Sequence, residues 1–290
     1  MLDLISAFPA PCGNEEIIKK FLKTKIDRQW QEDSIGNLIV RFGSGDEKWM
    51  VYCPIDEDAV VAMSVKEEKV WFAHLGDKPL HPGDTVSFEG TKGVICVPDL
   101  EKPNDGQYIQ MLVKDKVEPG MAGTVDGDFY EDEGVVYTKA AAQRAGIAAM
   151  LELCSMEPNC DLTLVFGVQG NNGNKGAIVA DREIRPDRVI VLEQSEKQTE
   201  SLTLKIAGSG YVCNKELADD IYQVCEENGI KMDNEVDVKQ KTAASMFTNG
   251  RAAAIGIPVQ FGKQMRQAIQ TSTVEEMKRL LRILVTKEGK

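Results

Sequence analysis

Apolar positions along this chain switch between two periods. Leu2, Leu4, Ile5 and Phe8 fall on one helical face until Pro9-Ala10-Pro11-Cys12-Gly13 breaks it, which predicts a short opening helix. Asn14 is the expected N-cap of a second helix that turns Ile17, Ile18, Phe21 and Leu22 inward. Gly36-Asn37 marks a turn, Leu38–Phe42 reads as a strand, and the unbroken apolar run Trp49–Ile55 as a strand buried on both faces. From about Ala62 to Tyr130 the helical period is missing. Short β-type runs at Val70–Ala73, Thr85–Phe88 and Gly93–Val97 alternate there with Gly-Asp, Pro-Gly-Asp and Asp-Gly turns.

The longer periods return at Thr138, the expected cap of a helix running through Met156. Strands are predicted at Leu162–Val168, Arg188–Leu192, Leu202–Ile206 and Ile257–Phe261. Helices are predicted from Ala177, over Lys215–Asn228 with Gly229 as its C′ residue, and over Thr273–Thr286. Alternating strands and helices give an α/β fold with a mostly parallel sheet. The expected organisation is a discontinuous α/β body, residues 1–62 and 132–290, interrupted by a small all-β insert over 63–131.

Composition narrows the function classes. The chain has 290 residues, 42% hydrophobic and 28% charged, enough for a large core in an ordinary globular protein. A formal net charge of −12 argues against nucleic acid or an anionic membrane as partner. The seven cysteines are odd in number and form no Cys-x-x-Cys pair, which suits reduced thiols in a cytoplasmic protein. The N-terminus reads as a helix and not as a signal peptide, and no apolar run reaches the ~18 residues of a membrane span.

Three places could carry chemistry. Pro54-Ile55-Asp56-Glu57 closes a buried strand, where α/β folds put their sites; the competing reading is that Asp56, Glu57 and Asp58 only begin a solvated loop. Gln169-Gly170-Asn171-Asn172-Gly173-Asn174-Lys175-Gly176 follows another buried strand, but its spacing does not match a phosphate loop, and a plain strand-to-helix connection competes. Glu193 ends a third strand as either a ligand or a capping acid. Cys53 as a nucleophile lacks any activating histidine, and an Asp56–Glu193 carboxylate pair lacks other signs of sugar binding.

Taken in order along most of the chain, these places resemble the tetrahedral and glutamyl aminopeptidase-like family of di-metal peptidases, which includes proteins labelled endoglucanase. Ile35-Gly36-Asn37-Leu38-Ile39 is similar to the family's Asn-Leu-Gly-Asn-Leu strand, and Pro54-Ile55-Asp56-Glu57 to its His-x-Asp-Glu. Lys139-Ala140-Ala141-Ala142-Gln143-Arg144-Ala145-Gly146 resembles Lys-Ala-x-Asp-Asp-Arg-x-Gly. Val168-Gln169-Gly170-Asn171-Asn172-Gly173, followed by Gly176-Ala177, resembles Val-Gln-Glu-Glu-x-Gly and its downstream Gly-Ala. Val189–Glu193 resembles the strand ending in a ligand aspartate.

The resemblance implies a zinc-peptidase-like (phosphorylase/hydrolase-like) body and an insert that builds dimers and larger hollow assemblies. It also implies a site that holds two zinc, cobalt or manganese ions. Here the ligand positions diverge. The histidine ligand falls on Pro54, the bridging aspartate on Ala142, the general base on Gly170, its metal-binding neighbour on Asn171 and the aspartate ligand on Glu193. The last histidine ligand falls near Lys263–Gln267, yet the chain's two histidines are His74 and His81, both in the insert and expected to be structural or surface residues. Asp56, which in the family orients the first histidine, is left without a client. No residue is assigned a catalytic role, and no metal or other cofactor is expected. The expected function is that of a non-catalytic structural or regulatory homologue. It would form a homo-oligomer or join an active paralogue in a hetero-oligomer. Two alternatives stand beside it: an active metallohydrolase with a different ligand set, and a module that keeps a cleft for a peptide ligand.

Overall fold

The computed structural model describes residues 1–99, 101, 106–112, 117–127 and 129–286. Its centre is a mixed, mostly parallel sheet built on the continuous apolar runs. Strand Asp161–Gly167 pairs parallel with Lys48–Pro54, which pairs parallel with Arg188–Gln194, which pairs parallel with Arg251–Ile257. Antiparallel strands Leu38–Phe42 and Trp30–Glu32 extend one side. On the other side Leu202–Ser209 runs antiparallel to Arg251–Ile257 and is joined in parallel by Met232–Lys241. Val51, Leu164, Ile190 and Ala254 are fully buried, as central strands covered on both faces require. Helices Ala141–Leu153 and Thr271–Val285 pack on each other and on the sheet.

The segment between Pro54 and the three-stranded sheet closes on itself. Strands Ala59–Lys66, Lys69–Leu75, Tyr108–Met111, Thr91–Cys96, Thr85–Phe88 and Ala122–Val125 form a closed barrel, in that spatial order. Closure removes sheet edges and encloses a separate small core that includes Val60, Val70, Val86, Phe88 and Ile109. A third sheet of Tyr130–Asp132, Val135–Lys139 and Arg266–Gln270 stands beside it, and Met265 reaches from that strand to the barrel core.

Several expected boundaries move. Thr138 is not a helix cap: it lies in strand Val135–Lys139, and the helix starts at Ala141 behind a left-handed Ala140. Asn14 does not cap the second helix; Glu15 holds the N-cap position and spends its carboxylate elsewhere, accepting from the N–H groups of Gly13 and Gln169 at 2.9 Å each. The strand expected at Ile257–Phe261 lies earlier, over Arg251–Ile257, where small alanines fit a crowded central position. Leu38–Phe42, Thr85–Phe88 and Lys215–Asn228 form as predicted, the last ending at Gly229. No helix among the described residues is long and apolar enough to cross a membrane.

Asn37 ties the N-terminal turn to the loop after strand Asp161–Gly167. It is fully buried, accepts from Val168 N–H at 2.9 Å, and donates to Asp33 at 2.6 Å and to Gly176 carbonyl at 2.9 Å. Gly176 permits this approach, since a Cβ there would lie 2.5 Å from Asn37 Oδ1. Asn37→Ala strips partners from a buried N–H and a buried carbonyl, so it is expected to cost roughly 2–4 kcal/mol. A urea unfolding curve with an unchanged midpoint would contradict this.

Candidate functional site

The parallel register gathers the expected site residues. Gly167 lies level with Pro54, and the pairing of Val191 with Tyr52 brings Glu193 level with Pro54 on the other side. The ends of three neighbouring strands therefore converge at one edge, where α/β folds form clefts. Pro54, Ala142 and Gly170 bring no side-chain donor to it. Ala142 is buried in the first turn of its helix.

Asp56, Glu57 and Asp58 are all buried, which overturns the reading of a solvated loop. Asp56 has a client after all. Its two oxygens accept from the N–H groups of Gly170 at 2.7 Å and Asn171 at 2.8 Å, so one carboxylate fastens the loop that follows the neighbouring strand. Gly170 makes this possible: a Cβ there would stand 2.8 Å from Asp56 Oδ1 and 2.9 Å from Pro54 Cβ. Asn171 spends its side-chain amide on Asp58 Oδ1 at 3.2 Å. Asp58 also faces Lys78, and His74 of the barrel stands 3.8 Å away. His81 is an exposed residue of the barrel. Glu57 accepts from Ala10 N–H and pairs with Lys139 at 3.0 Å and Arg144 at 3.3 Å, two side chains from the Lys-Ala-x-x-x-Arg stretch.

Glu193 faces a cation that the sequence reading missed. Lys205, fully buried in strand Leu202–Ser209, places Nζ 2.7 Å from Glu193 and 3.6 Å from Glu235. The other Glu193 oxygen accepts from Ala243 N–H at 3.2 Å. Burial alone would lower the Lys205 pKa, but the Glu193 and Glu235 charges raise it on balance, so the ammonium form is held. Glu235 also accepts from Ser195 at 2.6 Å and Thr203 at 2.7 Å. The signal for Lys205 was its place inside the apolar run Leu202-Thr203-Leu204-Lys205-Ile206, because an unpaired lysine is almost never fully buried. Within the window 263–267 the buried residue is Gln267, which accepts from Ala141 N–H at 2.8 Å and donates to Gln194 at 2.6 Å.

Among the described residues, one group could gather three ligand atoms around an ion: Cys12, Glu15 and Asp56, all buried and with donor atoms within 4.8 Å of one another. Burial first, then the Asp56 charge, raises the Cys12 thiol, so this sulfur is kept protonated. Burial likewise raises Asp56 to about 6, with the Glu15 charge adding to it, although the Asn171 and Gly170 N–H bonds work in the opposite direction.

The Asp56 value lies above the ordinary 3.8. Between roughly pH 4 and 6 the folded chain therefore keeps a proton that the unfolded chain has released, and stability from this group grows as pH falls. Relative to Asp56→Asn, the native chain is expected to gain up to about 3 kcal/mol on going from pH 7 to pH 4. Paired chemical-denaturation series that stay parallel across that range would disprove the assignment.

The fold matches several solved structures. The TET1 peptidase of Pyrococcus horikoshii, which can assemble into a tetrahedron or a large octahedral shell, superposes with a TM-score of 0.88 at 22% identity, covering 99% of this chain and 98% of that one. An aminopeptidase from the archaeon Desulfurococcus kamchatkensis gives a TM-score of 0.88 at 18% identity, covering 99% and 93%. An endoglucanase from Thermotoga maritima gives a TM-score of 0.84 at 23% identity, covering 100% and 97%. At these identities the likeness establishes the fold. The family model described as M42 glutamyl aminopeptidase matches residues 110–280, more than half of the chain. With the strand-end cleft and the ordered motifs around it, this chain belongs to the M42 glutamyl aminopeptidase family.

Proposed function

We propose that the chain is a non-catalytic member of its family, a structural or regulatory homologue without the metal pair. The reading rests on the donor atoms at the strand ends. Both oxygens of Asp56 are taken by N–H groups, and those of Glu193 by Lys205 and Ala243. A lysine ammonium next to the one position that keeps a carboxylate opposes a second cation there. The donor set does not fit two metal ions, so no step is derived through them. Metal lowers the pKa of bound water from about 15.7 to about 7, and losing that removes roughly 12 kcal/mol of nucleophile formation. A missing general base at Gly170 costs a further ~10²–10⁴-fold.

The rival, a hydrolase with another ligand set, draws on the closeness of Cys12, Glu15 and Asp56. One pair of measurements separates the two. Calorimetry with zinc, cobalt and manganese at neutral pH is expected to find no stoichiometric binding, and chromogenic aminoacyl substrates are expected to turn over no faster than buffer. Two ions bound per chain at micromolar affinity, or hydrolysis abolished by Asp56→Ala or Glu193→Ala, would establish the rival.

We further infer that the chain assembles with copies of itself through the barrel, as assemblies of related peptidases suggest. The barrel exposes Met63 and Leu112, 59% and 64% accessible, where apolar side chains gain from contact. Light scattering is expected to give a multiple of 32.0 kDa for the native chain and a smaller mass for the Met63→Glu, Leu112→Glu double variant. A native chain that already runs as a monomer would refute this.

A further inference from the structure

A cleft of about 730 Å³ separates the three-stranded sheet from the barrel. That volume falls in the range of small-molecule sites. Tyr130 pairs across strands with Tyr137, and Lys139 with Arg266. Side chains two residues apart share a face, so Tyr130, Tyr137 and Arg266 line one wall together. Gln267 alternates to the buried face, where it donates to Gln194 at 2.6 Å, yet it also lines the cleft, so the cleft borders the strand-end edge.

The sheet wall is aromatic and cationic. The Tyr130 and Tyr137 rings lie 6.0 Å apart at 37°, and both are substantially exposed. Phe261 adds a third ring at the rim. It is 59% exposed and sits at φ +56°, a left-handed conformation that bulky residues avoid at a cost of about 1–3 kcal/mol. Arg266 forms no ion pair or side-chain hydrogen bond among the described residues. The barrel wall is acidic. Asp126 is already engaged by Ser87 and Lys92, and Asp84 accepts from His81 N–H.

We propose that this cleft binds an aromatic monocarboxylate: a flat apolar body against Tyr130, Tyr137 and Phe261, with one carboxylate on the Arg266 guanidinium. Guanidinium and carboxylate match in planar, bidentate geometry, and tyrosine faces suit flat apolar groups. One unpaired cation opposite Asp84 and Asp126 accommodates a single negative charge and disfavours a second. The proposal does not depend on whether the chain hydrolyses peptides, because Tyr130, Tyr137, Phe261 and Arg266 make no hydrogen bond or ion pair with Asp56 or Glu193 among the described residues.

The test uses 1-naphthoate, its neutral analogue 1-naphthamide, and naphthalene-1,4-dicarboxylate, titrated into the full chain by calorimetry. Naphthoate is expected to bind one per chain with sub-millimolar affinity, at least tenfold tighter than the amide or the dicarboxylate. Arg266→Gln should erase the advantage of naphthoate over the amide and leave amide binding unchanged, while Tyr137→Ala should weaken both. Both substitutions are at exposed positions, and a melting curve checks that each variant folds. Equal affinity for naphthoate and naphthamide, an Arg266→Gln variant that keeps the preference, or no saturable binding of naphthoate would each overturn the assignment.

Discussion

A carboxylate taken out of water needs hydrogen-bond donors, and the placement of this chain's strand-end loops follows from how Asp56 gets them. The backbone supplies the donors: the Gly170 and Asn171 N–H groups close on its two oxygens. This draws the loop from one strand over the end of its neighbour. It works because residue 170 has no Cβ, and because Pro54 leaves no longer side chain between loop and carboxylate. Glu15 reinforces the same closure from the N-terminal segment by accepting from Gln169 N–H. Three segments far apart in sequence are thus locked around one buried charge.

The second half of the cleft solves the same problem with a full positive charge. Glu193 and Glu235 would repel each other in a dry interior, and Lys205 lies between them. A buried ion pair of this kind gives little net stability, since desolvation cancels much of the attraction. Breaking it is a different matter, because either glutamate would be left charged and unpaired. On the proposed reading the lysine takes over the electrostatic role of the cation that the family resemblance implies beside Glu193. It does so without the open coordination positions that make a metal reactive.

Much of the framework was legible in the sequence because it follows from period and burial. Leu38–Phe42 and Lys215–Asn228 carry one clear pattern each, and the buried apolar runs force a mostly parallel sheet. Misses arose where local signals compete with tertiary context. Thr138 reads as a cap in isolation, but its strand pairs with Arg266–Gln270, more than a hundred residues away. Strand Met232–Lys241 alternates acids with valines and shows its β character only through pairing with Leu202–Ser209. The candidate positions at strand ends were singled out by motif order. Lys205, Glu235 and Glu15 were not, because their importance lies in which charges they meet, and that is fixed only by the fold.

On the proposed reading, the geometry also bears on whether the cleft could take up ligand side chains one at a time. A glutamate at position 170 would collide at Cβ with Asp56 and Pro54 before its carboxylate reached the cleft, so the loop must first release Asp56. Releasing Asp56 strands a buried carboxylate unless a histidine already stands at position 54 to receive it. A ligand acid at position 142 would bury a further negative charge in the first turn of its helix, and removing Lys205 leaves the Glu193 and Glu235 charges without a cation. Each single step passes through an unsatisfied buried charge, at a cost of several kcal/mol. On the proposed reading the present arrangement is held in place by the coupling among these positions, with Lys205 supplying the positive charge that Glu193 and Glu235 face.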